Sequence, residues 1–296
     1  MTRQQAIGID LGGTHVKGVL IGSAGETFAS MTAKTHTNGK AESWKQTVKE
    51  MVQSLREKAE EKTVIGISAP GLASATADRI DFMPGRLDGL EGFDWGDYLK
   101  EPVRVLNDAH AAILAESAFG AGRGYQNLAM LTLGTGVGGG LLLNGQVFAG
   151  FRGIAGHIGH MSVDADNEQR DITNVPGSLE DAIGDATVGQ RTYGKFSSTQ
   201  ELVMAYEKGD PLATYFWLHS VKKLAVGIAS LCNIISPEAI VLGGGIARAG
   251  ISLLDPLQAF LALYEWRPGG KKATLLPATF DEYAGALGAA AFAMKK

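Results

Sequence analysis

Two glycine-rich stretches carry the residues best suited to chemistry. Residues 7–18 read IGIDLGGTHVKG: Ile7 and Ile9 alternate with Gly8, Asp10 follows, and Gly12, Gly13 and Thr14 precede a second apolar run at 16–21. This is a β-hairpin with a glycine turn, not a strand feeding a helix. Without Cβ atoms at Gly12 and Gly13, backbone N–H groups and the Thr14 hydroxyl can close on a phosphate chain. Asp10 can join a phosphate only through a cation, which points to Mg²⁺. Alone, such a hairpin also has a purely structural reading; a second copy decides between them. Residues 131–140, LTLGTGVGGG, repeat the strand, the Gly/Thr turn and the strand, with Gly134, Thr135 and Gly136 at the turn. Two such hairpins point to an internal duplication with a nucleotide between the halves. A third glycine run, Gly243, Gly244 and Gly245, follows a strand pattern and precedes a helix pattern, so backbone there can approach a nucleoside.

The elements that must hold these residues follow from periodicity. After the first hairpin, 26–33 supplies a third strand. An amphipathic helix over 40–61 places Trp44, Val48, Met51, Val52, Leu55 and Ala59 on one face. A strand at 64–68 ends in the forced turn Ala69, Pro70, Gly71, and 74–92 reads as a loop with Arg86, Asp88 and Glu91. A short helix at 94–100 and a strand at 103–106 lead to Asn107 and Asp108, where a helix over 109–119 begins. Asp108 is therefore expected to cap that helix as well. The second half predicts strands at 128–133, 139–143 and 146–149, a loop at 151–160, and a strand within 158–163. Helices from 178, at 199–208 and at 211–235 precede a strand at 239–242, a helix at 251–263, a strand at 272–276 and a last helix at 283–294. Each half thus reads β-β-β-α-β-α-β-α.

Composition narrows the class. The 296 residues are 45% hydrophobic and 20% charged, enough for two folded domains. No stretch reads as a membrane span, and MTRQQAIGID lacks the pattern of a signal peptide. A net charge of −4 leaves no electrostatic footprint for nucleic acid. The single Cys232, in an apolar helical run, excludes an intrachain disulfide and any multi-cysteine metal site. A cytoplasmic protein is expected.

Taken in order, the motifs resemble those of the ROK family (repressors, open reading frames and kinases), within the sugar kinase, actin and Hsp70 ATPase superfamily. DLGGT at 10–14 resembles the first phosphate motif and LGTGVGGG at 133–140 the second. NDA at 107–109 resembles the catalytic segment, AGHIGH at 155–160 the family signature and GGGIA at 243–247 the adenosine motif. The resemblance implies an α/β, two-domain actin-like ATPase (ribonuclease H-like) fold, one domain from 1–107 plus 283–296 and the other from 108–282. It implies an ATP- and Mg²⁺-dependent hexose kinase, glucokinase-like and acting at the 6-hydroxyl, with a small-molecule sugar as partner, no nucleic acid or membrane, and a homodimer. Asp108 would be the general base. Gly71, Asn107, Asp108, His157, His160 and Glu180 would meet the sugar. Asp10, Gly12, Gly13, Thr14, Lys17, Gly134, Thr135, Gly136, Gly243, Gly244 and Gly245 would hold the nucleotide, with Asp10 reaching Mg²⁺ through water. Two rivals stand beside this reading: a non-catalytic sugar-binding regulator, since the family contains repressors, and a hexose kinase using polyphosphate. The repressors carry an N-terminal helix-turn-helix, whereas here the phosphate hairpin lies within the first residues.

Five positions depart from the family pattern. Many ROK kinases follow the signature with a zinc motif, C-x-C-G-x-x-G-C-x-E. Laid on this chain it spans 171–180, DITNVPGSLE, with Asp171, Thr173 and Ser178 where cysteines belong and Gly177 and Glu180 retained. Without thiolates no structural zinc is expected; hydrogen bonds from Thr173, Asn174 and Ser178 would hold the loop, and His160 would serve only the sugar. His157 stands where the signature usually has a sugar-gripping glutamate, and Arg86 falls near a family asparagine. Both changes move the pocket toward positive or neutral character.

Overall fold

The computed structural model describes residues 4–36, 43–83, 85 and 87–295. The helix expected over 40–61 therefore begins partly outside the described residues, and Arg86 lies outside them altogether. Packing divides the chain into two units, one of Met1–Gly124, Val147–Ala155 and Thr279–Lys296, the other of Tyr125–Gln146 and Gly156–Ala278.

In the first unit β1 (Gln5–Leu11), β2 (His15–Gly22) and β3 (Thr27–Lys34) form a meander, followed by α1 (Ser43–Arg56) and β4 (Val64–Ala69). A small pair, β5 (Leu72–Ala73) and β6 (Ile80–Phe82), and α2 (Trp95–Leu99) then lead to β7 (Val103–Asn107) and α3 (Asp108–Phe119). The second unit has β8 (Leu128–Leu133), β9 (Val137–Leu143) and β10 (Gln146–Val147), then α4 (Leu179–Ile183), α5 (Val188–Arg191), α6 (Thr199–Glu207) and α7 (Pro211–Ile235). It closes with β11 (Ala239–Gly243), α8 (Ile251–Tyr264) and β12 (Thr274–Pro277), and the last helix, α9 (Ala284–Met294), belongs to the first unit.

The two main sheets run β3-β2-β1-β4-β7 and β10-β9-β8-β11-β12. In each, the first hairpin is antiparallel and the two strands added on the side of its first strand, β4 and β7 or β11 and β12, are parallel. The same strand order twice is the duplication that the paired hairpins imply, and it defines the two-domain actin-like ATPase, ribonuclease H-like fold. Parallel strands buried on both faces need apolar residues on both; accordingly Ala6 to Ile9 are fully buried in succession.

Helix α1 buries Trp44, Val48, Met51, Val52 and Leu55 on the expected face, with Ala59, beyond its end, packed against the same core. Two expectations are corrected. No strand forms within 158–163: a 3-10 turn at Ile158–His160 is followed only by an isolated bridge between Ser162 and Ser178. The glycine-rich signature curls there because Gly159 is pressed against the Val137 carbonyl, which leaves no room for an extended ladder. Helix α7, in turn, is long and apolar enough to cross a membrane, against the expectation that no such stretch exists. Its apolarity serves the core: Phe216, Trp217, Val221, Leu224 and Ile228 are buried among residues of α4, α6 and α8.

Helix α9 reads AGALGAAAFAM, and its small side chains let it lie almost on the backbone of its neighbours. A Cβ at Gly8 would sit 1.9 Å from the Ala286 carbonyl oxygen, and one at Gly288 would sit 1.7 Å from that of Ala111. This contact places α3 in the first unit, although the sequence draws its division at 107/108. Gly8→Ala is expected to cost at least ~2 kcal/mol in urea unfolding, the range of core overpacking. Gly189→Ala, in α5 with only the Phe196 carbonyl 3.9 Å away, should be neutral or stabilising by up to ~1 kcal/mol.

Candidate active site

In the first unit the candidate residues gather at the carboxyl ends of the parallel strands, where open α/β sheets bind ligands. Register sets Asp10 of β1 opposite Lys17 of β2 on one side and Ser68 of β4 on the other. Ser68 Oγ donates to Asp10 Oδ1 at 2.7 Å. Gly285, in the first turn of α9, lies so close that a Cβ there would be 2.4 Å from the Asp10 carboxyl carbon. Burial pushes the Asp10 carboxyl up from 3.8 to about 6; the Ser68 hydrogen bond opposes this, the Asp108 charge adds to it and Lys17 opposes it. A carboxylate so short of positive charge fits a hydrated divalent cation, which would restore its ionised form. The Lys17 ammonium also stands over the Tyr283 ring, 5.9 Å from its centroid.

At the end of β7 the capping role falls to Asn107, not to Asp108. Asn107 Oδ1 accepts from the N–H groups of Ala109 and His110 at 2.9 and 3.2 Å, and its Nδ2 donates to the Gly71 carbonyl at 2.8 Å. Extended dihedrals at Asn107 permit this, whereas Asp108 is already the first helical residue. Asn107 is thus buried scaffold that ties the turn after β4 to the start of α3. Asp108 is exposed, and its Oδ1 accepts from Ala109 N–H at 2.8 Å. One turn on, His110 is buried and donates from Nε2 to the Ala155 carbonyl at 2.9 Å; burial lowers its pKa, so the ring is neutral.

The two glycine turns are built alike. Gly12 N–H bonds the His15 carbonyl at 3.0 Å and Gly134 N–H bonds that of Gly136 at 2.9 Å, so these two donors close their own turns. Gly13, Thr14 and Thr135 are left exposed at the tips. In the second unit Glu180, expected at the sugar, is tied to the second glycine turn: its Oε2 accepts Val137 N–H at 2.9 Å. The carboxylate fills the space a side chain at Gly136 would need, 2.2 Å from a Cβ there. Ser178 caps α4 by accepting from Asp181 N–H at 3.2 Å, which fixes the helix that carries Glu180.

Within that unit a cavity of about 700 Å³ opens between Gly134 and Thr135, Gly245 and Arg248, and the α6 residues Thr199 and Met204. Its size suits a nucleoside. Gly243 ends β11, Gly244 follows at φ +88°, and of the three glycines Gly245 is the one that lines this space. The α6 lining was not legible beforehand, since Thr199 and Met204 read only as positions on a helix.

The loop after the signature is held by one carboxylate. Asp171 Oδ1 accepts Thr173 N–H and Oγ–H, each at 2.8 Å, and Val175 N–H at 3.0 Å, while Oδ2 meets His160 Nδ1 at 2.9 Å. Burial works against this charge, yet the bonds from Val175, His160 and Thr173 hold the Asp171 carboxyl down at about 2. Thr173 contributes to the loop as expected; Asn174 joins through its backbone, and Ser178 acts as the α4 cap. His157 stacks on His160 with ring centroids 6.4 Å apart and planes 12° from parallel. Among the described residues, no group of three or more His, Cys, Asp or Glu stands ready to hold a metal ion.

Comparison with known proteins gives the family. The ROK family model matches residues 6–296, and the chain belongs to the ROK family. A glucokinase of Thermotoga maritima is 30% identical over 98% of this chain and 97% of its own. The crystal structure of a ROK hexokinase from Thermus thermophilus superposes with a TM-score of 0.84 at 27% identity, covering 98% of both chains. A ROK family glucokinase from Streptomyces griseus, solved in complex with glucose and AMPPNP, gives a TM-score of 0.77 at 26% identity, over 99% of this chain and 100% of that one.

The raised value at Asp10 has a sign that can be measured. Its contribution to stability is present below pH ~4 and is lost as pH rises through about 6, because the folded state then holds a poorly solvated charge. Without Mg²⁺, Asp10→Asn should be more stable than wild type at pH 8 by roughly 2–3 kcal/mol and nearly equal at pH 4. Urea unfolding at both pH values checks this; an equal difference at each would refute it.

Proposed function

We propose that this protein is an ATP-dependent kinase of a hexose or hexose derivative, transferring the γ-phosphoryl group to a hydroxyl, the 6-hydroxyl, with Asp108 as general base. The observation that carries the reading is the pair of carboxylates at the strand ends: Asp108 exposed at the first turn of α3, Asp10 packed close enough to feel its charge. That two glucokinases and a hexokinase are among the relatives supports the sugar class.

The substrate hydroxyl oxygen attacks the γ-phosphorus, the bond from that phosphorus to the bridging oxygen breaks, and ADP leaves. The hydroxyl proton passes to Asp108. The helix N-terminus favours the ionised form of Asp108, which keeps it a ready acceptor but a weak base. Its benefit is then mostly orientation, fixed by the bond from Ala109 N–H. Gly13, Thr14 and Thr135 hold phosphate oxygens, Gly243, Gly244 and Gly245 border the nucleoside, and Lys17 adds positive charge. Mg²⁺ supplies neutralisation of phosphate charge, and Asp10 is the residue that would hold it, through water. His157, His160 and Glu180 contact the sugar. His157 in place of a glutamate turns preference away from plain glucose toward a hexose derivative. The enzyme works as a cytoplasmic homodimer.

A coupled assay of ADP release over a panel of hexoses tests the reading, with polyphosphate offered in place of ATP as a second donor. Sugar binding without ADP release would make the protein a regulator, and turnover only with polyphosphate would reassign the donor. Asp108→Ala should lose roughly two or more decades in kcat while sugar affinity stays within about tenfold. Retained turnover in that variant would remove Asp108 from the mechanism.

A further inference from the structure

The hydrogen bonds around His160 determine more than the shape of a loop. Its Nδ1 faces two oxygens, Asp171 Oδ2 at 2.9 Å and Thr173 Oγ1 at 3.3 Å. The Asp171 carboxyl, held at about 2, carries no proton at neutral pH. The single hydroxyl proton of Thr173 is already given to Asp171 Oδ1 at 2.8 Å. Neither oxygen can donate, so Nδ1 must carry the hydrogen that joins them. In the neutral imidazole this leaves Nε2 as a lone pair. The Asp171 side chain is 0% exposed, whereas the His160 side chain is 28% exposed, so the ring bonded to a buried carboxylate is itself partly open. Among the described residues, no protein atom bonds Nε2.

We propose that Asp171 is a positioning residue that locks His160 in the Nδ1–H tautomer, so that Nε2 accepts a hydrogen bond from a substrate hydroxyl and selects sugars that bear a donor there. The proposal rests on the reading of His160 as a sugar ligand. It takes the site one step further, from which residue touches the sugar to which direction the proton points. A hydroxyl at that place can satisfy Nε2; a fluorine or a methyl ether cannot, because neither has a proton to give. Ring orientation and tautomer are set together by the group behind a histidine, which is how an outer carboxylate tunes an inner imidazole.

Substituting Asp171 by asparagine keeps a carbonyl oxygen for the Thr173 and Val175 donors but turns an N–H₂ toward His160. Nδ1 then becomes the acceptor and the proton moves to Nε2. Long-range ¹H–¹⁵N spectra of the sugar-free protein at pH 7.5 read this directly, with the His160 signals assigned by their loss in His160→Gln. Wild type should show a protonated Nδ1 and a bare Nε2, Asp171→Asn the reverse, and Thr173→Val, which keeps the carboxylate, the wild-type pattern. In kinetics, Asp171→Asn should raise sugar KM roughly tenfold, the loss of one hydrogen bond, with ATP KM unchanged. The penalty for replacing the critical hydroxyl by fluorine should shrink in that variant. A protonated Nε2 in wild type, or a sugar KM unmoved by Asp171→Asn, would overturn the proposal. The spectra need no substrate, so an enzyme inactive on every sugar would refute the proposed function instead and leave the tautomer still measurable.

Discussion

The approach of α9 to the first sheet is the contact on which the Asp10 site depends. A helix of alanine and glycine can lie on β1 and β4 only because Gly8 and Gly66 present bare backbone to it. That closeness brings Gly285 against Asp10 and strips solvent from the carboxylate. The same helix meets α3 through Gly288, and α3 begins with Asp108. One packing decision, made with the smallest side chains, therefore fixes the backbone beneath both carboxylates and sets the electrostatic cost of one of them. Larger side chains in α9 would bury more apolar area yet lose the site.

The second unit solves a related problem with carboxylates in place of small residues. Glu180 occupies the hollow beside Gly136 and holds Val137 N–H, so the second glycine turn is braced by the start of α4. Asp171 gathers three donors on one oxygen and a histidine on the other. This chain organises the segment after the signature with a buried anion whose donors all lie within fifteen residues along the chain. Such a hub costs desolvation, and its low pKa shows that the hydrogen bonds more than offset it.

Much of this was legible in the residues because it is local. Glycine turns between apolar runs, the Trp44 to Leu55 face of α1 and the order of the motifs are patterns of adjacent positions, and the strand order repeats as the paired hairpins imply. What escaped was pairing across distance. Asn107, expected at the sugar, turned out to bond the Gly71 carbonyl and the α3 amides as well. Thr199 and Met204 gained a role only when β11 delivered Gly245 to the same cavity. The apolar length of α7 carries no mark to distinguish a core helix from a span; only α4, α6 and α8 closing around it do that. Side-chain partners are chosen by the fold, and a list of residue types does not contain them.

The return of residues 279–296 to the first unit also bears on how the chain is made. Synthesis runs from the amino end, so the first sheet emerges with β1 and β4 uncovered where α9 will lie. The whole of the second unit is then translated before α9 leaves the ribosome, on the order of ten seconds later at ordinary elongation rates. During that interval Ala6, Val19 and Ile21 lack the α9 residues Ala286, Leu287 and Ala290 that they pack against, while every residue of the second unit has been made. The nascent chain thus has a built-in order, in which the later half can settle first and the earlier half waits for its final helix.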